Sequence, residues 1–162
     1  MLRSIALLGC AVSMLLASTG AWADEGGRIS GPVSAEVVKV RDGDTLEVEA
    51  HIWPGQVARV AVRLRGVDAP ELKAKCDSEK TAALVARDRL TALVGTDGVT
   101  LFDISGDKYF GRVLAKVASG EEPDLAKLLL REGLVAPYDG GRRRDWCAGA
   151  PKLSSFLPDW PG

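Results

Sequence analysis

An α+β domain, a five-stranded β-barrel with two main helices, follows from three observations. Apolar and polar residues alternate through three short runs between Ala35 and Leu64, with turn signals between them. A long stretch from Ser78 to Val94 then carries its apolar residues at helical spacing. Two further alternating runs and a second, shorter helical stretch complete the order. Five strands with a helix between the third and fourth is the element order of a small closed barrel of the OB type. A barrel of five strands has no lumen, so a ligand must sit on its side or rim.

Taken in order, residues 1–23 read as a secretory signal. Arg3 supplies a positive charge, Ile5 to Ala17 is uncharged and apolar, and Ala21-Trp22-Ala23 offers small residues at a cleavage site. That core is short for a membrane span, which takes about 20 apolar residues. The chain is therefore expected to be exported, periplasmic or secreted, with no transmembrane span once processed. Residues 24–33, with Gly26, Gly27, Gly31 and Pro32, read as a flexible leader. The barrel domain is expected over residues 34–138.

The first strand spans Ala35 to Val40, and Asp42-Gly43 turns the chain. The second has Leu46, Val48 and Ala50 on one face. Trp53-Pro54-Gly55-Gln56 is a turn into the third, with Val60, Val62 and Leu64 inward and Arg59, Arg63 and Arg65 opposite. Pro70 ends this region, since it has no N–H to donate to a ladder. In the first helix Ala83, Ala86, Leu90 and Leu93 share a face; Asp77 or Ser78 can cap its start, and Gly95 stops it. Strands four and five follow at Val99–Ile104 and Val113–Val117. A second helix covers Asp124 to Glu132, with Leu125, Leu128 and Leu129 as its apolar face. Residues 139–162, rich in Pro, Gly and Arg and without periodicity, read as an irregular arm.

The chain has 162 residues, the size of one ordinary domain, and is expected to be a monomer. Its 21 basic and 22 acidic residues leave a net charge of −1, so it lacks the overall basic surplus usual in nucleic-acid binders. Processing would remove Cys10 and leave Cys76 and Cys147, an even pair best read as a disulfide in an exported protein. Two cysteines and a single histidine, His51, make a poor zinc set.

The chemistry concentrates between Val37 and Glu71. Asp44, Asp68 and Glu71 stand at strand ends, with Arg63 on the strand between them. Singly, each has an ordinary explanation as a turn residue, a solvated corner or a solvated strand face. Jointly they differ. In a meander the start of strand two lies near the end of strand three, so Asp44 and Asp68 converge. Two carboxylates ~4 Å apart repel by about 4 kcal/mol at an effective dielectric of 20. A hard cation with oxygen ligands, Ca²⁺ or Mg²⁺, removes that repulsion. Arg63 and Arg112 are suited to fork hydrogen bonds onto a phosphate, and Glu71 to take a proton from water. Tyr109 could stack on a base or sugar, or be a partly buried core residue.

Four segments carry a resemblance: residues 37–45 (Val37 to Thr45), residues 63–71 (Arg63 to Glu71), residues 107–112 (Asp107 to Arg112) and residues 130–135 (Leu130 to Val135). In this order and spacing they are similar to the thermonuclease (staphylococcal nuclease-like) family. The resemblance implies an OB-type barrel and calcium-dependent cleavage of DNA and RNA to 3′-phosphate products. It implies calcium held by Asp44 and Asp68 and by the Ala69 carbonyl, phosphate held by Arg63 and Arg112, and water oriented or deprotonated by Glu71. Lys108 and Tyr109 are candidate substrate-binding positions, and Tyr138 is the nearest candidate for the family's nucleotide-flanking tyrosines, which this chain does not match cleanly. Phe110 stands as an added residue between Tyr109 and Gly111. The expected activity is an exported calcium-dependent nuclease. The rival expectations are a catalytically silent OB module binding nucleic acid or oligosaccharide, and an envelope protein whose acidic rim binds calcium for structure.

Overall fold

The computed structural model describes residues 27–148. The expected signal, residues 1–23, and the end of the arm lie outside the described residues. Among the described residues nine elements follow one another: β1 (Val33–Asp42), β2 (Thr45–Trp53), β3 (Gln56–Leu64), β4 (Val67–Asp68), α1 (Asp77–Val94), β5 (Val99–Gly106), β6 (Arg112–Ala118), α2 (Leu125–Arg131) and β7 (Ala136–Pro137). Five strands close a barrel in the order β1-β2-β3-β6-β5. The expected meander β1–β2–β3 is antiparallel, and β3 meets β6 in parallel. The first and last strands of that order, β1 and β5, pair antiparallel and complete the closure. Register breaks in β1 between Val37 and Lys39 and between Val40 and Asp42 let the strand bend around so small a barrel.

Alternation sets the core. Leu46, Val48 and Ala50 of β2 point inward with Val62 and Leu64 of β3, Leu101 of β5 and Val117 of β6. Leu90 of α1 and Leu125 and Leu129 of α2 cap this interior. Each fully buried leucine contributes about 2 kcal/mol over an exposed one. The inward face of β3 departs from strict alternation: Ala61 is buried and Val60 only half-buried. On α1 the buried line is Ala83, Ala86, Leu90 and Val94, with the expected Leu93 packed at its margin. The helix start is also corrected. Its N-cap is Cys76, which makes no side-chain cap bond, rather than Asp77 or Ser78. Both expected caps lie within the first turn, where the charge of Asp77 favours the helix dipole. α2 begins as expected at Asp124, whose side chain accepts from the Lys127 N–H.

Two local features hold the edges of the domain. Ahead of β1, Ile29 exchanges backbone bonds with Ile104, and Arg28 pairs with Asp103, so the second half of the expected leader is tied to β5. Arg65, expected on the solvated face of β3, lies just past its end and donates to the carbonyls of Asp103 and Leu114 and to the Ser105 hydroxyl. Among the described residues no helix is long and apolar enough to cross a membrane.

Candidate active site

The β1–β2 turn and the end of β3 meet by register. Thr45 lies opposite Arg63, and the Leu64 N–H donates to the Asp44 carbonyl at 2.8 Å. After β3 the chain turns at Gly66 and runs through β4, which pairs with β7. This two-residue ladder has no periodicity to reveal it in the sequence. It presents Asp68 to the barrel and brings Tyr138 alongside, with its N–H donating to the Gly66 carbonyl. Gly43, at the centre of the turn, lies close against Ala86 of α1 and Ala69.

Arg63 joins the two expected carboxylates. Its Nη2 lies 2.8 Å from Asp44 Oδ2 and 3.0 Å from Asp68 Oδ1, and its Nη1 donates to Asp44 Oδ1 at 3.1 Å. Asp44 and Asp68 are each only 2% exposed. Asp44 also accepts from the Thr45 hydroxyl and from the Ala69 N–H at 3.0 Å. Burial pushes its carboxyl up to about 7, against the pull of the Arg63 guanidinium, with Asp42 adding to the rise.

A residue from the arm completes the cluster. Arg143 Nε donates to both Asp68 oxygens, at 2.8 and 2.9 Å, its Nη2 donates to the Ala69 carbonyl at 3.0 Å, and its Nη1 lies 3.0 Å from Glu71 Oε1. Burial works against its charge, but Asp68 and the nearby Glu71 and Glu79 hold its pKa above the ordinary arginine value. The arm returns here because Cys147 is joined to Cys76, in the loop that follows Glu71. The expected cysteine pair is therefore present, and it carries a site residue that pattern reading missed. The parity of the cysteines was the available signal: it already placed the arm beside the loop after Glu71.

Arg112 reaches the same cleft from the start of β6. It pairs with Asp107, and its guanidinium sits 4.5 Å from the centre of the Tyr109 ring. Tyr109 is 55% exposed, so the core alternative for it is overturned. The added Phe110 is absorbed in the turn before Gly111 and stands wholly in solvent. Arg63, Asp68, Glu71, Lys108, Arg112 and Tyr138 all line one cleft of about 550 Å³. Asp44 and Ala69 lie just beneath, buried.

Asp44, Asp68 and the Ala69 carbonyl offer oxygen donors only, the chemistry a hard cation takes, and each of these groups is engaged here by Arg63 or Arg143. Glu71 stands farther out. Among the described residues, the trio of metal-binding side chains with ligand atoms within 4.8 Å of one another is Cys76, Glu79 and Cys147. Both of its sulfurs are committed to the disulfide, so it offers no thiolate.

A small closed barrel with carboxylates and arginines gathered in one lateral cleft defines a nuclease-type or nucleic-acid-binding OB module. The family model described as staphylococcal nuclease homologue matches residues 61–145, from β3 to the arm. The chain belongs to that family. No curated protein matches it.

Proposed function

We propose that the protein is a calcium-dependent nuclease that hydrolyses phosphodiester bonds of DNA or RNA. The observation that carries this reading is Arg63 bridging Asp44 and Asp68 in the cleft that also holds Glu71 and Arg112. A module that only binds nucleic acid has no use for two buried carboxylates beneath its phosphate seat.

Asp44, Asp68 and the Ala69 carbonyl would hold the calcium ion, which supplies Lewis-acid charge next to the phosphate. Arg63, whose two terminal nitrogens lie on the same carboxylates here, would yield those oxygens to the ion and offer its freed guanidinium to the phosphate. Arg112 adds a second guanidinium opposite. Donors aimed where charge develops in the pentacovalent state are worth about 10²–10³-fold each. Glu71, half exposed at the cleft and paired here with Arg143, would take the proton of an attacking water, worth about 10²–10⁴-fold. Tyr109 and Tyr138 offer faces for the flanking base or sugar. The expected signal and the oxidised cysteine pair support action outside the cytoplasm.

The test is cleavage of single-stranded DNA and RNA by the purified protein, with calcium or with chelator. Calcium should permit cleavage and chelator should stop it. Asp44→Asn should abolish it with the fold intact, and Glu71→Gln should lower the maximal rate by 10²-fold or more. Cleavage that continues in chelator removes the metal from the reading. Binding without cleavage under every condition favours the silent module.

A further inference from the structure

Arg143 makes contact with three of the oxygens on which the calcium reading depends. Its guanidinium covers both oxygens of Asp68 and the carbonyl of Ala69, and braces Glu71. Arg63 occupies a further lone pair of Asp68 Oδ1 and one on each oxygen of Asp44, so it must shift for the ion as well, while Asp68 Oδ2 and the Ala69 carbonyl are covered by Arg143. A calcium ion needs oxygen lone pairs at about 2.3–2.6 Å, so it and Arg143 cannot hold Asp68 and Ala69 in the same way at once. The guanidinium belongs to an arm without secondary structure, held four residues further on by the Cys76–Cys147 bridge.

Resting on the calcium assignment above, we propose that Arg143 is a tethered internal counter-ion that competes with calcium for Asp68 and Ala69. When the ion binds, Arg143 leaves these oxygens and, still held by the disulfide at the rim of the cleft, becomes a third guanidinium facing the substrate phosphate. The arm would thus be both a counter-ion for the metal ligands before the ion binds and a substrate-binding element afterwards. Reduction of the disulfide by an external dithiol, which gives up two electrons and two protons and is itself oxidised to a disulfide, would leave Cys76 and Cys147 as thiols and free the arm, so that metal affinity depends on their oxidation state.

Calorimetric titration of calcium into chelator-stripped full-length protein tests this without reference to activity. Arg143→Met should tighten calcium binding about tenfold, because the binding-competent fraction of sites rises. Arg144→Met removes the same charge from a neighbouring position, where Arg144 lies 4.5 Å from the Trp146 ring, and should change affinity less than threefold. Arg143→Lys keeps the charge without the fork and should fall between wild type and Arg143→Met. Cys147→Ser should tighten binding as Arg143→Met does, and the two changes together should add nothing further. In the calcium-loaded protein, Arg143→Met should weaken binding of a nucleoside 3′,5′-bisphosphate about tenfold. Equal calcium affinity in wild type and Arg143→Met, or an equal gain in Arg144→Met, overturns the competition while leaving the calcium reading intact. Absence of calcium binding in every variant overturns both.

Discussion

Gly43 sits where the fold and the site press together, so its replacement is a demanding test of the geometry. A Cβ on Gly43 would lie 2.6 Å from Cβ of Ala86 and 3.0 Å from Cβ of Ala69. Carbon atoms rest at about 3.5–4.0 Å, so Gly43→Ala must drive α1 and the β1–β2 turn apart by about 1 Å. Overpacking of this kind costs about 1–3 kcal/mol. In a domain of this size that lowers the melting temperature by about 2–4 °C per kcal/mol. Urea unfolding should show an earlier midpoint with an unchanged slope. Ala86→Gly removes the nearest obstruction, at a cost of about 1 kcal/mol for glycine within a helix. The double variant should therefore be at least about 1 kcal/mol more stable than the two losses added. Strict additivity, or a loss below about 0.5 kcal/mol in Gly43→Ala, would show that the turn does not pack on α1 as described.

Three further outcomes are expected. Arg63→Ala strands the buried carboxylate of Asp44, since Asp68 keeps Arg143, and should cost about 3 kcal/mol in chelator at pH 8. The loss should shrink at pH 6, where the raised pKa of Asp44 lets it take up a proton, and saturating calcium should restore part of it; equal losses in all three conditions would refute the pairing. Glu132→Gln breaks the bridge to Arg89 that ties α2 to α1. The hydrogen bond from Arg89 holds the Glu132 carboxyl below its ordinary 4.5, so the pair stabilises above that pH and loses its effect as pH falls through the lowered value. Wild type should exceed the variant by about 0.5 kcal/mol at pH 7, with the gap closing only as pH falls below the lowered value, measured by denaturant midpoints. Phe110→Ala, at a side chain wholly in solvent, should leave stability within about 0.5 kcal/mol of wild type by the same assay.

Much of the barrel was legible because its strands are half-buried and therefore alternate. Leu46, Val48 and Ala50 announce the inward face of β2, and Gly95 the end of α1, before any coordinate is known. The convergence of Asp44 with Asp68 was legible too, since a meander joins the start of one strand to the end of the next. What stayed hidden depends on long-range pairing. β4 and β7 are two residues each, too short for a period, and β3 pairs with β6 across the whole of α1 and β5. Arg143 lies 75 residues from Asp68 in a segment without pattern, and nothing local distinguishes it from Arg142 or Arg144. The cap of α1 was misplaced because Cys76 took the extended conformation before the helix, leaving two better capping residues inside it.

The cleft also accounts for how an acidic chain could handle a polyanion. Arg63, Arg65, Lys108, Arg112 and Arg143 line it against Asp68, Glu71, Asp107 and Asp139, and buried Asp44 lies beneath. These charges nearly cancel, so the cleft's own side chains have little reason to attract phosphate. On the proposed reading, two charges of calcium would tip the balance to positive where the scissile phosphate would lie, and the same ion would release Arg143 from Asp68. Substrate affinity should then rise with metal occupancy, and by reciprocity nucleotide should raise calcium affinity by the same factor. A nuclease with a uniformly basic surface would bind nucleic acid with or without metal and with a steep salt dependence. Here a shallow salt dependence in chelator and a steeper one in calcium are expected, because the local field, rather than the net charge, sets the encounter.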